Sequence, residues 1–309
     1  MKKVLVTGGA GFIGSHVADE LIAAGHEVTV LDNLSSGKRE QVPARARFVE
    51  ADIRSREAAD LIRAERFDAL VHQAAQIDVR RSVSEPGYDA EVNLIGMLNL
   101  LQAAAEAGVG RVLFASSGGA CYGEQEVYPA PETHPSRPVS PYGVSKAAGE
   151  LYLGYYAAEK KLSYCALRYS NVYGPRQDPL GEAGVVAIFA GRCLADRPCT
   201  IYGDGRQTRD YVYVGDVARA NRLALESDYV GALNVGTGRE TDVIELHRQI
   251  AAAAGFPQAP TFGEARPGEQ RRSCIDPSLA KRVLGWEPEV TLEEGIARTA
   301  AFFRAQIAA

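Results

Sequence analysis

The chain has 309 residues, of which 46% are hydrophobic and 24% charged, a composition typical of a soluble globular protein with one large or two connected domains. Its formal net charge is −5 and it has no run rich in Lys and Arg, so we expect neither nucleic acid nor a membrane surface as a partner. The five cysteines are odd in number and form no CxxC pair, which predicts reduced thiols in a cytoplasmic protein and no metal site.

Short runs rich in β-branched residues alternate with longer amphipathic runs over roughly the first 170 residues. The first run is broken by Thr7 and glycines before it reaches the length of a signal-peptide core, and no run approaches the ~18 apolar residues of a membrane span. Strands are predicted at 3–7, 27–31, 47–50, 68–72, 111–116 and 164–168, with helices near 12–24, 55–65, 89–107 and 142–160. Most strands are apolar on both faces, which indicates a doubly wound, parallel α/β sheet of the Rossmann type.

The alternation ends near residue 170. A helix is predicted at 184–195, a second helix at 214–226 and a strand at 232–235, and the rest is mostly helical apart from an irregular polar stretch at 256–277. This pattern predicts a nucleotide-binding Rossmann domain and a smaller, mostly helical substrate domain woven into the C-terminal half. The predicted boundaries are 1–171 plus about 211–237 for the first domain, and about 172–210 plus 238–309 for the second.

A glycine-rich turn follows the first predicted strand and opens the first helix. In "VTGGAGFIG", Gly8, Gly11 and Gly14 let the backbone approach a pyrophosphate at the positive end of the helix. Asp32 ends the second strand, about 20 residues further on, where a carboxylate can accept both ribose hydroxyls. That carboxylate would repel a 2′-phosphate, so NAD is favoured over NADP, although Lys38 and Arg39 lie nearby.

Two other short segments follow strands on the same edge of the sheet. "ADI" at 51–53 follows the third strand, and "HQAAQ" at 72–76 ends the fourth. An aspartate beside the adenine and a turn of small residues over the cofactor would suit these positions. By spacing alone, each is equally consistent with an ordinary loop.

The segment "SPYGVSK" at 140–146 predicts a helix start that carries a reactive pair. Ser140 is a possible N-cap and Pro141 suits the first turn, while Tyr142 and Lys146 lie one turn apart on the same face. An ammonium near the phenol is expected to lower the tyrosine's pKa and allow proton exchange with a sugar hydroxyl. The alternative is an unremarkable pair on an exposed helix face.

These motifs occur in the order and spacing of the extended short-chain dehydrogenases/reductases. TGGAGFIG, ADI, HQAAQ, SSGGACYG, YGVSK, RYSNVYGPRQ, NVGTG, RPGE and LGWEPEV together span essentially the whole chain. Within that superfamily the sequence resembles the UDP-glucose 4-epimerase (UDP-galactose 4-epimerase) family of NAD-dependent epimerases/dehydratases. The resemblance implies that Tyr142 takes the proton of the sugar's 4-hydroxyl while bound NAD accepts hydride from C4. It also implies that Lys146 holds the cofactor ribose, that the substrate is a UDP-sugar and that the protein is a homodimer.

The resemblance assigns candidate binding residues by position. Those for the cofactor are Gly8, Gly11, Phe12, Ile13, Gly14, Asp32, Asn33, Gly37, Asp52, Ile53, Gln73, Ala74, Ala75, Asn93, Tyr142 and Lys146. Those for the substrate are Asn171, Val186, Tyr202, Arg209, Arg266, Glu269 and Ser273. In this assignment the two arginines clamp the diphosphate, the glutamate binds the uridine ribose, and Tyr202 with the helix around Val186 walls the uracil.

One catalytic position departs from the family pattern. The family places a Ser or Thr hydroxyl near the sugar oxygen at C4, and the corresponding residue here is Gly118. Ser117 is the best substitute, while Ser116 and a water in the space left by the glycine remain alternatives.

A second position bears on the sugar that is accepted. Seven residues after Arg266, members restricted to UDP-glucose and UDP-galactose usually have a tyrosine, where this chain has Ser273. The smaller residue predicts that UDP-GlcNAc and UDP-GalNAc are also interconverted.

Three other functions are weighed against this one. A 4,6-dehydratase would have Asp-Glu where this chain has Gly119 and Ala120, which argues against dehydration. A 4-epimerase of UDP-glucuronate or UDP-pentoses remains open. A non-catalytic NAD-sensing regulator is disfavoured by the presence of both Tyr142 and Lys146.

Overall fold

A seven-stranded parallel sheet forms the centre of the protein. The computed structural model describes residues 1–179, 184–265 and 270–308. The sheet has the order β11–β6–β5–β4–β1–β2–β3, and every neighbouring pair in it is parallel. Its strands are β1 (Lys3–Thr7), β2 (Glu27–Asp32), β3 (Arg47–Glu50), β4 (Ala69–His72), β5 (Arg111–Ser117), β6 (Ser163–Tyr169) and β11 (Gly231–Val235). The predicted doubly wound parallel α/β sheet is confirmed.

Helices cover both faces of this sheet. Alternate side chains of β1 point to opposite sides, so Val4 and Val6 enter one hydrophobic cluster and Leu5 enters another. The described helices are α1 (Phe12–Ala23), α2 (Arg56–Glu65), α3 (Val79–Ser84), α4 (Pro86–Ala90), α5 (Gly96–Ala107), α6 (Gly118–Tyr122), α7 (Pro141–Lys160), α8 (Val185–Leu194), α9 (Val214–Glu226), α10 (Val243–Ala254), α11 (Ser278–Leu284) and α12 (Leu292–Ala308). No helix of the described part of the chain is long and apolar enough to cross a bilayer.

A third hydrophobic cluster belongs to the C-terminal half, where α8, α10 and α12 pack together. Short strands surround it: β7 (Asn171–Tyr173), β8 (Thr200–Tyr202), β9 (Thr208–Arg209), β10 (Tyr211–Tyr213), β12 (Thr241–Asp242), β13 (Thr261–Gly263) and β14 (Arg272–Ser273). The domain boundaries given above remain a prediction.

Two details differ from the sequence-based expectations. The stretch 256–277 is not wholly irregular, because β13 pairs with β8 and β14 pairs with β9. Strands of two or three residues carry no readable periodicity and form here through distant partners. The helix predicted over 89–107 is divided into α4, a π-helical turn at Glu91–Ile95 and α5.

Candidate active site

The glycine-rich turn lies where β1 and β4 adjoin at the centre of the sheet, the point at which nucleotides bind in folds of this kind. Gly8 has a φ of +70°, and a Cβ there would lie 2.6 Å from the backbone nitrogen of Ala74. A Cβ on Gly14 would lie 2.1 Å from the carbonyl oxygen of Gly8. Among the described residues, no side chain caps the N-terminus of α1 and its first turn holds no acidic residue. The turn therefore suits a diphosphate, with free amide groups at the positive end of a helix.

Asp32 is buried at the end of β2 and faces the same turn. Its carboxylate accepts hydrogen bonds from the backbone nitrogen of Ala10 at 3.0 Å and of Leu34 at 2.9 Å. Burial raises its pKa, and the two backbone hydrogen bonds oppose that shift. A carboxylate has about four lone-pair sites, so two remain for ribose hydroxyls. The guanidinium of Arg39 stacks on Phe48, 4.3 Å from the ring centroid.

The neighbouring loops close around this turn. Asn33 donates to Asp52 at 3.0 Å, and Asp52 also pairs with Arg54, whose hydrogen bonds lower the pKa of the aspartate to about 2. Gly37 packs on Ala10, because a Cβ there would lie 2.9 Å from that alanine's Cβ. The structure thus places Asn33, Gly37 and Asp52 next to Asp32 and the glycine-rich turn.

A buried polar network joins the loop after β4 to the helix that carries Tyr142. Asn93 accepts from the backbone nitrogen of Gln76 at 2.8 Å and donates to its carbonyl oxygen at 2.9 Å. The carboxylate of Asp89 accepts from Asn93 at 2.9 Å and from the hydroxyl of Ser145 at 2.7 Å. Asp89 and Ser145 were not singled out in the sequence, since a lone Asp or Ser on a helix gives no local signal.

The remaining cofactor candidates contribute packing around the crevice. Gln73 donates to the hydroxyl of Tyr169 at 3.1 Å and to Asn221 at 3.0 Å, which fixes the end of β4. Ile53 is buried against Gly96, whose Cβ would lie 2.8 Å from its Cδ1. The others are partly exposed and lie on the first turn of α1 or directly after β4: Phe12, Ile13, Ala74 and Ala75.

Tyr142 and Lys146 lie on one face of α7, beside the end of β5. The helix begins at Pro141, and the hydroxyl of Ser140 accepts from the backbone nitrogen of Gly143, as the predicted N-cap requires. The buried ammonium of Lys146 donates to the carbonyl oxygen of Ala115 at 2.8 Å and lies 5.7 Å from the centroid of the Tyr142 ring.

The expected lowering of the tyrosine's pKa is wrong for this structure. Desolvation raises the pKa of Tyr142 well above its usual value, and the acidic groups of Cys121 and Asp89 add to the shift. Burial also lowers the pKa of Lys146 to about 8. The sequence could not reveal this, because the shift depends on how deeply the fold buries the pair.

The turn after β5 carries Ser117, the candidate for the hydroxyl near the sugar oxygen at C4. Ser117 accepts from the backbone nitrogen of Ala120 at 3.4 Å as the N-cap of α6, a bond that leaves its hydroxyl proton available. Ser116 points elsewhere and donates to Glu150 at 2.5 Å. A Cβ on Gly118 would lie 2.9 Å from Cγ2 of Ile275, so the isoleucine fills the space in which a water was considered.

A cavity of about 330 Å³ opens in the C-terminal half. It brings together three of the predicted substrate residues, Asn171, Tyr202 and Arg209. The side chain of Arg209 is partly buried and donates to the carbonyl oxygen of Thr208 at 2.8 Å. The other residues that line the cavity are Val185, Ile188, Phe189, Arg192, Thr200, Ile201, Gln207, Tyr211 and Val243.

Val186, a predicted substrate residue, does not line this cavity. Val186 is buried in the hydrophobic core, whereas Val185, Ile188 and Phe189 face the cavity. These three residues and Arg192 have the i, i+3, i+4, i+7 spacing of a single helix face, and Val186 is rotated off it. That spacing is present in the sequence and could have identified the correct face.

The last three substrate candidates fall in or next to the segment before β14. Arg266 and Glu269 lie outside the described residues. Ser273 is buried in β14, and its hydroxyl lies 3.0 Å from the position that a Cβ on Gly119 would occupy. The structure therefore places Ser273 against the turn that carries Ser117.

Comparisons with known proteins agree with this geometry. A sequence model of the NAD dependent epimerase/dehydratase family matches residues 4–236. The UDP-glucose 4-epimerase of Mycolicibacterium smegmatis is 48% identical over 308 residues, with 98% of each chain covered. The structure of Thermotoga maritima UDP-glucose 4-epimerase with UDP-glucose has a TM-score of 0.97 at 49% identity and 99% coverage of each chain. The Thermus thermophilus UDP-glucose 4-epimerase in complex with NAD has a TM-score of 0.92 at 51% identity, covering 98% of this chain and 99% of that one.

Proposed function

The chain belongs to the NAD dependent epimerase/dehydratase family, and we propose that it interconverts UDP-glucose and UDP-galactose at C4, together with their N-acetylated counterparts. It is an NAD-dependent isomerase, since one C4 epimer is oxidised and the other is formed by reduction of the same intermediate. The observation that carries this assignment is the stacking of the buried Lys146 ammonium on the Tyr142 ring, in a fold that also has the uncapped, glycine-rich turn and Asp32.

The residues present fit NAD. The uncapped N-terminus of α1 faces the diphosphate position, and the carboxylate of Asp32 faces the position of the adenosine ribose. NAD held by these residues would supply hydride-transfer chemistry at C4 of the sugar, the oxidised ring as acceptor and the reduced ring as donor.

Tyr142 exchanges the proton of the sugar's 4-hydroxyl. Its phenolate oxygen removes that proton as C4 is oxidised, and the phenol returns it when C4 is reduced. Because desolvation, together with Cys121 and Asp89, raises the pKa of Tyr142, the phenolate needs positive charge close by. Lys146 supplies one such charge from beneath the ring, and the cationic cofactor supplies the other.

Ser117 donates its free hydroxyl proton to the sugar oxygen at C4, in the place of the family's usual residue at Gly118. The same turn has Gly119 and Ala120, so it provides no carboxylate to remove a proton from C5 or to protonate the leaving hydroxyl at C6. This turn therefore favours return of the hydride to the 4-keto sugar over dehydration.

The cavity lined by Asn171, Tyr202 and Arg209 binds the nucleotide half of the substrate. The guanidinium of Arg209 is planar and permanently charged, and it meets a diphosphate with charge-assisted hydrogen bonds. Tyr202 and the apolar face of α8 offer surface for the uracil ring. Arg266 and Glu269 are proposed to complete the diphosphate and ribose contacts.

A panel of UDP-sugars tests this function. Purified protein incubated without added reductant should interconvert UDP-glucose and UDP-galactose, and UDP-glucuronate and UDP-xylose should react more slowly. Exclusive turnover of the glucuronate or the pentose, or NAD binding without turnover of any sugar, would contradict the assignment.

The cofactor should be NAD and should copurify with the protein, since it is regenerated in each cycle. Replacing Asp32 with Asn is expected to weaken NAD binding about 10- to 100-fold, because a hydrogen bond to a charged group is lost. The difference between the affinities for NAD and NADP should become smaller. Calorimetric titration of both dinucleotides measures the change. The exposed residue Lys38 is the control, and Lys38→Ala should leave NAD affinity within about threefold. Recovery of bound NADP from the wild type would overturn the assignment of Asp32.

Ser273 is proposed to set the range of sugars. The variant Ser273→Tyr should lose activity on the N-acetylated pair about 10- to 100-fold, because the ring obstructs the acetamido group during rotation of the 4-keto sugar. Activity on UDP-glucose and UDP-galactose should stay within a few-fold, and Ser273→Ala, which adds no volume, should turn over both pairs. Equal losses on both pairs in Ser273→Tyr would show that the residue does not discriminate between them.

We also propose that the protein is a cytoplasmic homodimer. All five cysteines are free thiols, as is usual in a reducing compartment. Apolar side chains on α7 and beside α5 are exposed: Ile95 by 56%, Leu151 by 77% and Tyr155 by 51%. A patch of this kind on helix surfaces is typical of an interface, and the family resemblance points to a second copy of the chain as its occupant.

A charge in this patch should separate the two copies. Leu151→Glu is expected to shift the protein from dimer to monomer in light scattering at micromolar concentration, because the carboxylate would be buried without a partner. Val230 is also half-exposed but lies between α9 and β11, so Val230→Glu should remain a dimer. A Leu151→Glu protein of unchanged mass would remove this surface from the interface.

A further inference from the structure

Two thiols and an imidazole meet in the hydrophobic core of the C-terminal half. Cys193 lies on α8, Cys199 lies just before β8, and His247 lies on α10, with exposed fractions of 4%, 0% and 4%. Their sulfur and nitrogen atoms all lie within 4.8 Å of one another. Three separate elements thus bring three ligands of the kind that soft metal ions prefer to one point.

The imidazole at this point has an unmet hydrogen-bonding requirement. Nε2 of His247 is buried and has no hydrogen-bond partner in the described part of the chain. The ring packs edge-on against Phe189 at a centroid distance of 5.6 Å. A neutral imidazole can present a lone pair from Nε2, which is the form that binds a metal. An unpartnered nitrogen in an apolar core is costly unless a ligand satisfies it.

The distance between the sulfur atoms suits a metal better than a disulfide. The two Sγ atoms are 3.6 Å apart. Tetrahedral zinc with Zn–S bonds of about 2.3 Å holds two sulfurs about 3.8 Å apart, whereas a disulfide requires about 2.05 Å. Two thiolates and a neutral imidazole would also cancel the charge of a divalent ion, as apolar surroundings require.

We propose that Cys193, Cys199 and His247 bind one zinc ion, or a chemically similar soft divalent ion, at a structural site separate from the reaction centre. Binding releases the two thiol protons and needs no oxidant or reductant. The carbonyl oxygen of Phe189 lies 3.8 Å from Sγ of Cys199 and adjoins the site. The sequence gives no hint of it, because Cys-x₅-Cys with a distant His matches no zinc motif.

The site would act on the shape of the substrate cavity. Phe189 and Arg192 of α8, together with Thr200 and Ile201 of β8, line that cavity. A metal that joins α8 to β8 and to α10 therefore fixes the cavity wall against which the nucleotide packs. This consequence rests on the proposed function, but binding of the metal does not.

Metal titration of the full, NAD-loaded chain tests the site. Reduced protein is stripped with a chelator and titrated with Zn²⁺, and separately with Co²⁺ as a spectroscopic probe. One equivalent of zinc by elemental analysis, and a thiolate-to-cobalt charge-transfer band in the near ultraviolet, are the expected results. Mutating a residue that only hydrogen-bonds to a metal ligand typically lowers metal affinity roughly 10- to 100-fold. Cys199→Ala removes a ligand itself, so it should lower the affinity for zinc by more than that.

Cys165→Ala is the matched control, because it removes another buried thiol, on β6, and should keep one full equivalent. The thermal transition and NAD content of each variant show whether it is folded. The proposal is overturned if the wild type binds less than about a tenth of an equivalent, or if Cys199→Ala binds as the wild type does. It is also overturned if protein purified without reductant carries a Cys193–Cys199 disulfide and no metal. All three readouts are independent of epimerisation, so a failed function assay would leave this result intact.

Discussion

Replacing Tyr142 with phenylalanine is expected to lower the turnover number by at least ~10²-fold, since the variant loses general acid–base assistance to the 4-hydroxyl. The ring and its position over Lys146 are retained, so the affinities for NAD and UDP should change by no more than a few-fold. Steady-state kinetics on UDP-galactose, combined with equilibrium binding of UDP, separates the two effects.

Tyr156→Phe provides the control for this experiment, because it removes the same hydroxyl from the same helix, far from Lys146. It should retain near-normal turnover. If Tyr142→Phe also retained near-normal turnover, another group would have to move the proton, and the mechanism above would fail.

Removing the guanidinium of Arg168 is expected to cost about 3–5 kcal/mol of unfolding free energy, because a carboxylate would be left buried without its partner. Arg168 on β6 meets Glu150 on α7 with hydrogen bonds of 3.0 and 2.6 Å, and the two side chains are only 11% and 12% exposed. The guanidinium also donates to the hydroxyl of Tyr122 at 2.9 Å. The pair therefore holds the helix of Tyr142 and Lys146 against the sheet.

Chemical denaturation of Arg168→Met measures this cost while keeping much of the side-chain volume. The control is Arg248→Ala, which breaks an exposed pair with Glu245 and should change the unfolding free energy by at most about 1 kcal/mol. The double variant Arg168→Met/Glu150→Gln should recover part of the loss, since it removes the unpaired charge. If Arg168→Met lost no more unfolding free energy than Arg248→Ala, the buried pair would not stabilise the fold.

The central sheet could be predicted from sequence because its strands are buried on both faces. "KVLVT" and "RVLFAS" are almost continuously apolar, and the glycine-rich turn has a backbone requirement that few residues meet. The N-cap at Ser140 was likewise readable, since it depends only on neighbours within one turn.

The features that could not be predicted depend on distant contacts. The raised pKa of Tyr142 follows from burial by the whole fold, and β13 and β14 exist only through pairing with β8 and β9. Ile275 fills the space beside Gly118 from a segment more than a hundred residues away along the chain. Local patterns carry none of this information.

Hydride return to the carbon it left is the central claim, and a label at C4 tests it most directly. UDP-galactose carrying deuterium at C4 is incubated with the purified protein in ordinary water, without added NAD or reductant, and the UDP-glucose formed is examined by NMR and mass spectrometry. We expect UDP-glucose that keeps essentially all of its deuterium at C4, because the same hydride returns to the carbon it left. Product that has lost the deuterium to solvent, or no product until external cofactor is supplied, would contradict the account.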